Sequence, residues 1–255
     1  MQSLFLISGA GLLAGAMNAL AGGGSFVSLP ALITAGVPPM QANASSTVAL
    51  FPSGVASAWV YRGAIGPVGS VTMRSLLIAT LSGGFVGAAL LLRTSSTAFS
   101  FALPWLLLFA SLALAFGRGL GEALRGGGRV RGSVVLAIQF ALGVYGGYFG
   151  GAVGIMMVAI WGLLDGRDIK SLNALRTLLV TAANASAVLT FVVAHAVHWS
   201  ETIVMLGTAT IGGYGGAQIG RRASPKLIRA GTLLVTFCVT LAFFVQTYAP
   251  KVLHR

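Results

Sequence analysis

Apolar stretches of about 20 residues follow one another along the whole chain, with short polar connectors between them. Each is long enough to cross a ~30 Å hydrocarbon core at ~1.5 Å per residue. Two of these runs are cut by glycines. Ala16-Met17-Asn18-Ala19-Leu20-Ala21-Gly22-Gly23-Gly24-Ser25 breaks the first, and Val144-Tyr145-Gly146-Gly147-Tyr148-Phe149-Gly150-Gly151-Ala152-Val153-Gly154 breaks another about half a chain later. The pattern predicts eight hydrophobic segments: 3–34 (broken), 40–61, 67–92 and 98–117, then 133–164 (broken), 170–197, 200–221 and 226–247. Unwound backbone at membrane depth is tolerated only where protein buries it or it lines a cavity, so both breaks are candidate sites.

The two halves also repeat each other. Asn43-Ala44-Ser45-Ser46-Thr47 matches Asn173-Ala174-Leu175-Arg176-Thr177 at an offset of 130. Gly83-Gly84-Phe85-Val86-Gly87-Ala88 matches Gly212-Gly213-Tyr214-Gly215-Gly216-Ala217 at 129, and Gly22-Gly23 falls on Gly150-Gly151 at 128. Three blocks in the same order with so little drift imply internal duplication. The chain divides into a first repeat at 1–117, a basic linker at 118–132 and a second repeat at 133–255.

Composition agrees with a membrane protein. Hydrophobic residues make up 56% of the chain and charged residues only 8%, with a mean hydropathy of +0.91, against about 25% charge in a soluble domain. The formal net charge of +12 does not point to nucleic acid, because the basic residues cluster in connectors without interleaved aromatics. The N-terminus lacks a positive n-region, so the first apolar run is expected to be retained. Cys238 alone can form neither an internal disulfide nor a thiolate metal site, and is expected to pack as a small apolar residue.

Basic residues discriminate between two topologies. If each broken segment crossed once, seven loop cations would lie on either side, with no bias. If each instead enters and returns on one side, Arg62, Arg118, Arg125, Arg129, Arg131, Arg167, Lys170, Arg221, Arg222, Lys226 and Arg229 share one face, leaving Arg93, Lys251 and Arg255 opposite. The second arrangement follows the positive-inside rule. It makes the linker cytoplasmic and both termini external. A unit of one hairpin plus three crossings is odd, so the two repeats are expected to be inverted. The predicted fold is an all-α polytopic membrane protein of two inverted repeats, each a glycine-broken hairpin plus three transmembrane helices.

The candidate chemistry is anion binding. A half-helix that starts at mid-membrane offers free N–H groups and the positive end of its dipole. Gly22, Gly23, Gly24 and Ser25 would supply one such site, and Gly150 and Gly151, with the turn to Gly154, the other. Glycine suits an unwound turn that needs positive φ, and a methyl group at Gly23 or Gly151 is expected to obstruct it. Gly11-x-x-x-Gly15 and Gly83-x-x-x-Gly87 read instead as close helix packing. Behind the breaks run polar stripes at helical spacing: Asn43, Ser46, Thr47, Ser53 and Ser57 in the first half, and Asn173, Arg176, Thr177, Thr181 and Asn184 in the second. Arg176 sits about six residues into its helix, and an arginine at a helix centre costs about 2.5–3.5 kcal/mol on insertion scales. Its planar fork matches an oxyanion, the alternative being a snorkelling anchor; Arg74 reads as an anchor.

The acids Glu122, Asp165, Asp168 and Glu201 all fall at connectors, which leaves no carboxylate relay through the membrane. His195 and His198, beside Trp199, read as interfacial residues. No His-Glu-x-x-His, Gly-x-Ser-x-Gly or Walker pattern occurs, so an enzyme or an ATP-driven pump is not indicated, and no cofactor or metal is called for.

The Gly-rich break, Asn-Ala-x-x-Thr and Gly-Gly-x-x-Gly-Ala, in two copies, resemble the TauE/SafE sulfite exporter family. The second half is the closer match, through Gly150-Gly151-Ala152-Val153-Gly154, Asp168-Ile169-Lys170-Ser171-Leu172-Asn173-Ala174-Leu175-Arg176-Thr177 and His198-Trp199. That resemblance implies a multi-pass carrier of the bacterial inner membrane that exports sulfite or a related sulfur-containing or organic anion. The partners expected are a small anion and the lipid bilayer, with no nucleic acid. The alternatives are uptake of a small carboxylate or sulfonate, and an intramembrane binding or assembly module without transport.

Overall fold

The computed structural model describes residues 2–61, 71–123, 131–151, 153–154, 156–157, 161, 169–220 and 224–252. Among the described residues the chain forms nine helices and no strands. They are α1 (Gln2–Ala21), α2 (Ser25–Thr34), α3 (Pro39–Tyr61), α4 (Met73–Arg93), α5 (Ser96–Ala123), α6 (Gly132–Tyr148), α7 (Ile169–Val193), α8 (Trp199–Gly220) and α9 (Pro225–Val252). Residues 153, 154, 156, 157 and 161 are also helical and belong to the limb that follows the second break. Among the described residues, four helical stretches are both long and apolar enough to cross a membrane: Met73–Arg93, Ser96–Phe116, Leu175–Val193 and Ala230–Tyr248. Large apolar side chains such as Phe5, Leu13, Ile78, Phe116, Leu189, Ile211 and Leu234 point outward along these and other helices. A lipid-facing surface accounts for that arrangement, because in water it would be a continuous apolar patch.

Local chemistry sets the helix ends. Thr72 caps α4 by accepting from the Ser75 N–H at 3.3 Å. After α2 the Gly36 N–H donates to Ile33 O and the Val37 N–H to Leu32 O, with Gly36 at φ +95°. That left-handed turn closes the helix as a C-terminal glycine does. The sequence ends the fourth segment at 117, but α5 continues to Ala123. Its glycines Gly117, Gly119 and Gly121 weaken a helix without breaking it, so the helix runs into the expected linker. Residues 124–130, with Arg125 and Arg129, lie outside the described residues, as do Arg62, Arg167, Asp165, Asp168, Arg221 and Arg222. Arg74 falls in the first turn of α4 and is exposed, so it reaches the helix end without snorkelling. Cys238 is also exposed, on the outer face of α9 rather than in the packing.

Glycine backbones hold two helix pairs together. On α1 and α8, a Cβ added at Gly15 would stand 2.0 Å from Ala209 O, and one at Gly212 2.0 Å from Leu12 O. On α4 and α6, a Cβ at Gly87 would stand 2.0 Å from Val144 O, and one at Gly147 2.0 Å from Gly84 O. Backbone meets backbone in both pairs, the geometry that small-x-x-x-small faces permit. Each pair joins the first helix of one half to the third long helix of the other. The remaining packing follows the same correspondence: α3 lies against α7, α5 against α9, α3 against α8 and α4 against α7.

Among the described residues two large apolar clusters fill the interior, with a small third of Ala14, Leu50 and Ala209. Phe26, Leu29, Leu32, Phe99, Leu103, Phe149 and Phe191 form the larger, around α2 and the second break. Leu76, Leu142, Val153, Met157, Trp161 and Leu179 form the other. Within it, fully buried Gln139 donates to Thr80 Oγ1 at 2.8 Å and accepts from Trp161 Nε1 at 3.2 Å. This bonded amide anchors the limb after the second break to α4 and α6.

Candidate functional site

The two breaks share one backbone device. At the first, the Gly22 N–H still reaches Asn18 O at 2.9 Å, after which Gly22 takes φ +73° and ends α1. At the second, the Phe149 N–H reaches Tyr145 O at 2.9 Å and Gly150 takes φ +74°. An L side chain would be strained at either position. The chain then turns back on itself. A Cβ at Gly24 would lie 2.5 Å from Ala14 O, and one at Gly146 lies 3.3 Å from Val153 Cγ2. In a helix that continued straight, residues 14 and 24 would be about 15 Å apart at 1.5 Å per residue.

These turns meet at a cavity of about 110 Å³. Asn18 and Ala19 of α1, Gly22, and Ser25 at the start of α2 line it from the first break. Gly150 and Gly154 line it from the second. α3 contributes Thr47, Leu50 and Gly54, and α7 contributes Arg176, Thr177, Val180, Thr181 and Asn184. Thr47 and Thr177 are the equivalent threonines of the two Asn-Ala-x-x-Thr copies. The Arg176 stem lies across the second break, its Cδ and Cγ 3.2 and 3.4 Å from where a Gly154 Cβ would stand. Arg176 therefore belongs to the cavity wall. No side chain caps the start of α2; the Phe26 and Val27 N–H groups donate instead to Gly23 O at 3.2 Å and Gly24 O at 3.0 Å, so α2 turns the positive end of its dipole toward the cavity at Ser25.

Of the residues chosen from sequence, Gly22, Ser25, Thr47, Gly150, Arg176 and Thr177 come together around the cavity. Gly23, Gly24, Asn43, Ser46 and Gly151 are not part of its lining. Asn43 is buried and donates from Nδ2 to Tyr148 O at 2.9 Å, which fastens α3 to the end of α6. Ser46 Oγ lies 2.6 Å from Ser28 Oγ, and Ser28 in turn donates to Gly24 O at 3.2 Å, fastening α2 to α3. Gly24 is needed for close approach to α1, and a Cβ at Gly151 would strike the Phe149 ring at 2.4 Å. Gly23 differs from the expectation: an added Cβ meets only ordinary contacts, the nearest at 3.7 Å, and no positive φ constrains it. The turn spends its left-handed residue on Gly22 instead. The Asn173 side chain and Ala152 lie outside the described residues.

Asn18 is the lining residue that the sequence reading passed over. It is a polar residue one turn before the break in an otherwise apolar helix, which is the signal that could have found it. Its Nδ2 donates to Ser53 Oγ at 2.7 Å, linking α1 to α3. His195 and His198 do not line the cavity. They sit between α7 and α8, where the His198 N–H donates to buried Ser45 Oγ at 2.9 Å and the ring contacts Glu201 at the start of α8. No cluster of three or more His, Cys, Asp or Glu side chains that could hold a metal occurs among the described residues.

Comparison with known proteins places the chain among membrane transporters. The chain is 28% identical over 244 residues to the probable membrane transporter protein YfcA of Escherichia coli K12, covering 95% of this chain and 90% of that one. It is 26% identical over 233 residues to a probable membrane transporter protein of Haemophilus influenzae, covering 90% of each. A probable membrane transporter protein of Sinorhizobium, ORF9, is 26% identical over 246 residues, covering 94% of this chain and 92% of that one. No solved structure matches. The family model described as sulfite exporter TauE/SafE matches residues 7–243. A match of that extent, over both breaks and both polar stripes, makes this chain a member of the TauE/SafE sulfite exporter family, a membrane transporter and not an enzyme.

Proposed function

We propose that the chain is a secondary carrier of small anions that exports sulfite or a related sulfur-containing or organosulfonate anion across the cell inner membrane by alternating access. One observation carries this reading: a single cavity receives both glycine breaks, Arg176 and the two equivalent threonines Thr47 and Thr177. An anion there would meet Arg176, the Ser25 hydroxyl and the positive end of α2, with no acidic side chain among the described residues of the wall. Such a field selects anions over cations.

The two halves, 1–117 and 133–255, are read as inverted repeats joined by a cytoplasmic basic linker at 118–132. The exchange of packing partners between halves supports this, because α1 seeks α8 as α6 seeks α4. Each broken segment then enters and leaves on one side, in keeping with the fold-back at Gly24 and at Gly146. The glycine-locked pairs α1–α8 and α4–α6 would move as rigid units on either side of the cavity, opening it to one face and then the other. Efflux of sulfite and of 2-hydroxyethanesulfonate from proteoliposomes containing the purified protein tests the reading. Efflux above that from protein-free vesicles supports it, and none under any imposed ion gradient defeats it.

A further inference from the structure

The hydrogen-bond inventory of the cavity is not that of a plain oxyanion pocket. A threonine hydroxyl has one proton. Thr47 gives its proton to Asn43 O at 2.9 Å, and Thr181 gives its own to Thr177 O at 2.7 Å. Both therefore turn lone pairs toward the cavity they line. Asn18 is fixed in the same sense. The Ser53 hydroxyl proton goes to Leu50 O at 2.7 Å, so Ser53 accepts from Asn18 Nδ2 at 2.7 Å, and that bond sets the orientation of the amide. Asn18 Oδ1 is left as the group it offers to the cavity.

Thr47, Thr181 and Asn18 thus present acceptors from three helices, Asn184 Oδ1 adds a buried acceptor without a hydrogen-bond partner, and Arg176 and Ser25 line the same cavity as donors. A bare three-oxygen head that filled this space would meet oxygen lone pairs along much of the wall. Leaving those acceptors without donors once water is displaced carries a desolvation cost.

Resting on the anion-carrier reading above, we infer that the preferred ligand is a small organic anion that carries its own hydrogen-bond donor, a hydroxyl or ammonium group. Its acid head binds Arg176 and Ser25, and its donor binds Thr181, Thr47 and Asn18. Thr181 lies five residues beyond Arg176 on α7, about 7.5 Å along the axis at 1.5 Å per residue. An acid head with a one- or two-carbon arm covers that span. A cavity of about 110 Å³ has room for such a molecule. Discrimination of this kind is strong because a site built around a ligand's donor is left with unpaired groups when the donor is missing.

Matched pairs test the inference: glycolate against acetate, and 2-hydroxyethanesulfonate against ethanesulfonate, titrated by calorimetry into the purified full chain. The hydroxylated member should bind at least fivefold tighter in each pair. That ratio should fall below twofold in Thr181→Val or Thr47→Val, and should survive in Thr181→Ser, which keeps the hydroxyl. Equal affinities within both pairs in the wild type would overturn the inference while leaving the carrier reading in place. A preference that persists in both valine variants would also overturn it. Failure of every anion to bind would defeat both.

Discussion

Gly22 and Gly150, far apart in sequence, adopt the same left-handed backbone, φ +73° and +74°, and line the same cavity. Two helices end on the same stereochemical device and deliver their turns to one place. Left-handed backbone costs roughly 1–2 kcal/mol for any residue with a Cβ. Gly22→Ala and Gly150→Ala should therefore each slow transport by tenfold or more, with a modest fall in Tm. Gly23→Ala, where a methyl has room, should transport at close to the wild-type rate. Equal activity of all three variants would remove the breaks from the mechanism.

Which glycine matters was not legible in the sequence. The pattern gave the place of each interruption and its partner, because three aligned blocks fix the correspondence of the halves. It could not choose among Gly22, Gly23 and Gly24, since only the path of the turn decides which residue goes left-handed and which meets α1. Arg176 and Thr177 were legible because a polar stripe in an apolar helix has to face protein or water. Asn18 has no such stripe, and Asn43 and Ser46 belong to a stripe but are spent on fastening helices. The longer α5 was hidden by its glycines, which resemble a linker and yet stay helical.

Arg176→Lys should weaken anion binding several-fold, and Arg176→Ala should weaken it more. Lysine keeps the charge but loses the two-pronged geometry, and a several-fold loss corresponds to about 1 kcal/mol. Calorimetric titration of sulfite into the folded variants measures it. Equal affinity in all three proteins would leave Arg176 as a structural cation.

The glycine faces should behave differently from the breaks. Gly87→Ala places a methyl against Val144 O, and Gly212→Ala one against Leu12 O. Overpacking of this kind costs about 1–3 kcal/mol, so both should lower Tm by several degrees. Gly9→Ala and Gly207→Ala, with open space at the new methyl, should not lower it. Thermal unfolding in detergent reads all four.

Topology is open to labelling. In a Cys238→Ala background, Gln2→Cys should react with an impermeant thiol reagent from outside the cell. Gly127→Cys should react only after the membrane is permeabilised. Cytoplasmic labelling at position 2 would contradict the hairpin arrangement of the first break.

The central claim is that the cavity between the two breaks is where the anion crosses. Sulfite efflux from proteoliposomes, compared between wild type and Arg176→Ala reconstituted at equal density, tests it most directly. The account predicts efflux well above protein-free vesicles for the wild type, and a loss of at least tenfold in the variant with its fold intact. Wild-type efflux that Arg176→Ala leaves unchanged would contradict it.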